Sequence, residues 1–121
     1  MKCTTAVLAG AAMLALAAFP AGAATVYTGD VIQGKRVISA LDVDDLEAGK
    51  VHRFYFQGVQ MGSGQHWYLP VVVAKGAKPG RKILLISGVH GDELSPVDAV
   101  HRTMAALDPL QMSGTVTAVY D

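Results

Sequence analysis

A run of branched apolar residues, Ile83-Leu84-Leu85-Ile86, leads into Ser87-Gly88-Val89-His90-Gly91-Asp92-Glu93 and then into Leu94-Ser95-Pro96. An almost continuously apolar strand suits a sheet covered on both faces, which is the usual setting of parallel strands. Such sheets present reactive groups at the carboxyl ends of their strands. Here the turn delivers a histidine and, three residues later, a glutamate. Positions i and i+3 are neighbours on a helical turn, so both side chains can face one point. Gly88 and Gly91 are expected to allow the tight bend and the close approach of a ligand. Histidine with a carboxylate is a common donor set for catalytic zinc, which takes three protein ligands and keeps a fourth position open. His90 and Glu93 are therefore the candidate metal ligands. The competing reading of the same residues is structural: Asp92, Glu93 and Ser95 cap a helix while His90 fills the turn.

The residues that follow predict a helix. Ser95 is the expected N-cap, Pro96 suits the first helical position, and Asp98 falls where a capping-box acid would sit. Val97, Val100, His101 and Met104 recur at helical spacing and give one mainly apolar stripe. Asp108-Pro109 closes the helix, and Thr115 to Tyr120, after Gly114, reads as another strand. Strand, helix and strand with short links form a βαβ unit. His101 is a poor third ligand: it lies eight residues beyond Glu93, about 12 Å along a helix, whereas ligands sit about 2 Å from a single ion.

Upstream, Val51 to Gln57 and His66 to Val73 are rich in aromatic and β-branched residues, and the glycines of Gly58 to Gly64 suit a hairpin loop between them. Pro70 cannot donate to a ladder, which predicts an edge or a bulge there. His52, His66 and Trp67 are expected as half-exposed strand side chains. Val37 to Leu41 suggests a short strand, and Lys75 to Lys82, with its cations, glycines and proline, a wet loop. Asp42 to Glu47 concentrates carboxylates but fails the calcium-loop pattern. Leu46 stands at the third ligand position and no glycine at the sixth, so a solvated acidic turn is expected.

The chain has 121 residues, no net formal charge and one cysteine. Lys2, the unbroken run from Ala6 to Phe19 and then Pro20-Ala21-Gly22-Ala23-Ala24 describe a secretory signal peptide over 1–23. This predicts export to the periplasm or beyond, with no membrane association after cleavage. Cys3 leaves with the signal, which removes disulfides and cysteine-based zinc sites from consideration. Without a charge excess or a basic-aromatic face, nothing points to nucleic acid. Residues 24–121 can bury one modest core. They divide into a β-rich opening segment, 24–75, and a βαβ unit, 76–121. The expected class is α/β: a β-hairpin leading into a mainly parallel or mixed sheet with flanking helices. The last strand ends at Tyr120, where a site-bearing loop should begin, so the chain reads as the front part of a larger domain.

The stretch from Ile83 to Glu93 resembles the opening motif of the succinylglutamate desuccinylase/aspartoacylase family, whose members are related to zinc carboxypeptidases. Leu107-Asp108-Pro109 and Gly114-Thr115-Val116 resemble the next segment. The likeness runs from about Val71 to Tyr120 and is specific at His90-Gly91-Asp92-Glu93. It implies a zinc-carboxypeptidase-like fold, Zn2+ as cofactor, and His90 and Glu93 as the first two zinc ligands. The implied reaction is attack of activated water on the amide of an N-acyl amino acid or small peptide. The family's third zinc-binding histidine, its Asn-Arg substrate clamp and its general-base glutamate have no counterpart in this sequence. Two other readings remain. A serine α/β-hydrolase would need a G-x-S-x-G elbow, which the sequence lacks. A non-catalytic exported binding module needs nothing further.

Overall fold

The computed structural model describes residues 23–120, so nearly all of the expected signal peptide lies outside the described residues. Six strands form one mixed sheet: β1 (Val26–Ile32), β2 (Lys35–Ala40), β3 (Lys50–Gln60), β4 (His66–Lys75), β5 (Lys78–Ser87) and β6 (Ser113–Tyr120). A short 3-10 turn (Val43–Asp45) lies between β2 and β3, and helix α1 (Leu94–Ala106) lies between β5 and β6. The strand order is β1-β2-β3-β4-β6-β5. β2 runs parallel to β3, and β5 parallel to β6, while the other three pairings are antiparallel. Both expected motifs are present: the β3–β4 hairpin and the β5–α1–β6 unit with adjacent parallel strands.

Alternation along the strands sends residues to two faces. One face gathers Ile38, Phe54, Val71 and Val73 under Leu46, with Leu41 and Val43 packed at the margin. Its cover is the connection between β2 and β3, which must cross the sheet because those strands are parallel. The other face gathers Val72, Ala74 and Ala118 under Met104 of α1, flanked by Val100, Leu85 and Val116. Burying each such aliphatic or aromatic side chain contributes about 1.5–3 kcal/mol. The apolar stripe of the helix therefore does face the sheet.

Several expectations are corrected. β5 begins at Lys78, so most of the expected Lys75–Lys82 loop is strand and only Gly76 and Ala77 link β4 to β5. Its glycines serve a close backbone approach. A methyl group on Gly114, which has φ +89°, would meet the Arg81 carbonyl, and one on Gly80 would meet the Gly114 backbone. β5 is an edge strand rather than a covered one, and Ile83, Leu84 and Ile86 are all more than half exposed. β4 is central, not an edge. Pro70 is tolerated because its pairing with β6 stops at Val71, one residue short of the proline. The helix starts at Leu94, with Glu93 in the N-cap position and no side-chain cap, so Ser95 and Pro96 lie inside the first turn. The first turn has free N–H groups in any case, which is why the proline is accommodated. Asp98 pairs with Arg102 at 2.8 Å instead of capping. Of the expected flanking helices, α1 alone is present among the described residues.

Candidate metal centre

β5 ends at Ser87, and the chain reverses through Gly88, whose φ of +80° is the left-handed conformation that glycine adopts without steric cost. Gly91 carries no such requirement: its φ is not positive, and an added methyl group would meet nothing within 4 Å. The Glu93 N–H donates to the His90 carbonyl at 3.1 Å and closes the turn. This closure brings His90 Nδ1 to 2.9 Å from Glu93 Oε1. The two side chains are 71% and 44% exposed, so the pair opens to solvent at the carboxyl end of β5. The Glu93 carboxylate goes to the histidine rather than to a backbone N–H of the helix, so it does not act as the helix cap.

This separation is compatible with chelation. Two ligand atoms each about 2.0–2.1 Å from a tetrahedral zinc ion are about 3.3 Å apart, so a few tenths of an ångström of spreading would admit the ion. One nitrogen and one carboxylate oxygen make a fitting but partial donor set. Among the described residues, no group of three or more His, Cys, Asp or Glu side chains converges. His101 is removed from the pair, its ring 4.2 Å from that of Tyr120. Beneath the turn, the buried Ser87 hydroxyl has no hydrogen-bond partner among the described residues. It lines a cleft of about 240 Å³ with Gly88, Val89 and Tyr120.

The remaining residues singled out from the sequence are structural. His52 Nε2 lies 2.9 Å from the Glu47 carbonyl, and His66 Nδ1 lies 3.2 Å from that of Gly58. Trp67 is 47% exposed on β4. The acidic turn is bound rather than merely solvated. Asp42 accepts from the Asp44 N–H, Asp45 from the Thr25 N–H, and Asp44 from Lys82 at 2.7 Å. The hydrogen bond from Lys82 holds the Asp44 carboxyl below its usual range. Lys75 donates to the Asp44 and Leu46 carbonyls. A second group of residues was not legible in the sequence: Lys35, Arg53 and Tyr120 line a groove of about 520 Å³ between α1 and the sheet.

Neither protein-family models nor curated proteins match this chain. Solved structures do. A protein from Shewanella frigidimarina NCIMB 400, described as a succinylglutamate desuccinylase/aspartoacylase, aligns over 60% of this chain with a TM-score of 0.53 and 20% identity. A succinylglutamate desuccinylase/aspartoacylase from Rhodobacter sphaeroides aligns over 64%, with a TM-score of 0.53 and 27% identity. The alignments span 20% and 24% of those longer chains. The six-stranded mixed sheet with its single described helix is thus similar in fold to part of the succinylglutamate desuccinylase/aspartoacylase proteins.

Proposed function

We propose that this chain is part of an exported, zinc-dependent amide hydrolase of the zinc-carboxypeptidase-like kind, in which His90 and Glu93 are two of the metal's ligands. The observation that carries the reading is the convergence of His90 Nδ1 and Glu93 Oε1 to 2.9 Å on a solvent-open turn after a sheet strand. The two solved proteins similar in fold, whose names denote deacylases, support the reaction class. A zinc ion bound there supplies Lewis acidity toward an amide carbonyl. The chain's own part is to hold the two donors on a turn whose shape is set by Gly88 and by the start of α1. The substrate class is an N-acyl amino acid or small peptide, and residues 1–23 serve as the export signal.

The test is metal content after purification. The unaltered protein is expected to retain zinc, and the double variant His90→Ala/Glu93→Ala to lose it. Equal zinc in both refutes the reading. Export is checked separately by the mass of the protein recovered outside the cytoplasm, expected to lack residues 1–23. A second reading, an exported module that binds metal without turnover, is favoured by the absence of a three-ligand group among the described residues. It is distinguished by zinc retention without hydrolysis of any N-acyl amino acid.

A further inference from the structure

The groove of about 520 Å³ between α1 and the sheet combines two features that ordinary packing does not need. Its apolar lining on this face is Val72 and Met104, both buried, with Pro70 and Val97 half-buried beside them. Its rim carries Lys35 and Arg53 and no carboxylate. β2 and β3 run parallel with Val37 opposite Tyr55, and Lys35 and Arg53 line the same groove from these two strands. Neither cation forms an ion pair among the described residues. Lys35 lies over the Tyr55 ring at 5.6 Å, and the Tyr55 hydroxyl is already committed to Gln33. The Tyr120 hydroxyl has no hydrogen-bond partner among the described residues, and its phenol is raised above its usual value by burial while the Arg53 charge pulls the other way. On the opposite face of the sheet, Lys75 and Lys82 are answered by carbonyls and a carboxylate. The two cations at the groove are not.

We infer that this groove is a binding site for a small carboxylate with an apolar body, its head held by Arg53 and Lys35 and its body laid along Pro70, Val97 and Met104. Arg53 offers the planar, forked donors that match a carboxylate, and Lys35 adds a second charge. Tyr120 offers a neutral donor between them and the helix. The head satisfies both cations at once, and the body covers the exposed parts of Pro70 and Val97. This site does not depend on the metal reading, because none of its residues belongs to the His90–Glu93 turn.

The test is calorimetric titration of the full chain with hexanoate in the presence of a chelator. Hexanoate is expected to bind, at least tenfold more weakly to Arg53→Gln and to Lys35→Gln, and undetectably to the double variant. Arg53→Lys is expected to keep affinity within about threefold of the parent if charge is what matters and to lose more if the fork is needed; either result supports the site. His90→Ala/Glu93→Ala is expected to leave binding unchanged, so failure of this site and failure of the metal reading are separable. The inference is overturned if the double charge variant binds hexanoate as the parent does. It is equally overturned if hexan-1-ol binds as tightly as hexanoate, or if inorganic phosphate does.

Discussion

Two turns in this chain concentrate the groups that hold metal ions, and they are resolved in opposite ways. At Asp42–Glu47, each of the four carboxylates meets a partner: the Asp44 N–H, Lys82, the Thr25 N–H and Lys50. The apolar residues between them, Val43 and Leu46, pin the segment onto the sheet. At His90–Glu93, the two side chains answer each other, on a turn that leaves the sheet at Gly88. A carboxylate bound by a lysine from β5, beside carbonyls bound by a lysine from β4, completes a fold. A histidine and a carboxylate that meet at 2.9 Å in open solvent leave donors a cation can take. Composition alone would have ranked the acidic turn higher.

The largest expected effect breaks the comparison directly. His90→Ala/Glu93→Ala removes bound zinc, whereas Asp44→Asn/Asp45→Asn leaves metal content unchanged; metal analysis reads both. Next, Lys75→Met deprives the Asp44 and Leu46 carbonyls of their donor. This costs about 0.5–1.5 kcal/mol in denaturant unfolding, the net range for a hydrogen bond whose acceptor water can reach. His90→Ala, at an exposed position, changes stability by less than about 0.5 kcal/mol.

The third is a pH effect. The Asp44 carboxyl is held below its ordinary value of 3.8 by the hydrogen bond from Lys82. A depressed carboxyl contributes stability that is fully present above the unfolded-state value and is lost as pH falls through the folded-state value. The stability difference between the parent and Lys82→Gln is therefore expected to be present at pH 7, to shrink below about 3.8, and to disappear once Asp44 is protonated. Thermal melts at stepped pH measure it. Another small effect is at Lys50→Ala, whose exposed pair with Glu47 contributes about 0.2–1 kcal/mol.

The β3–β4 hairpin, α1 and β6 were legible because their apolar periods are strong and bounded by glycine or proline. β1 and its turn were not. Gly29 and Asp30 interrupt the strand where its pairing with β2 slips between Tyr27 and Val31, and the turn places Gln33 at φ +49°, a conformation that glutamine rarely signals. The first half of β5 read as loop because Lys78-Pro79-Gly80-Arg81-Lys82 has loop composition, while the glycine there is required by the β6 backbone beside it. At the candidate site, the His90–Glu93 spacing was readable, since both residues lie in one turn. The groove was not. Lys35, Arg53 and Tyr120 are far apart in sequence, and only the parallel β2–β3 pairing and the return of β6 beside β4 bring them together.

The position of β6 sets an order of assembly. It follows β5 and α1 in the chain, yet it lies between β4 and β5. Until it inserts, β5 has no neighbour to pair with among the described strands, and α1 lacks part of the surface on which Met104 is buried. A strand as apolar as Ile83-Leu84-Leu85-Ile86, left unpaired on a nascent chain, is a template for pairing with other chains. Pairing of β5 therefore waits on a strand that comes after it in the chain, a long-range contact of the kind that forms more slowly than a local hairpin.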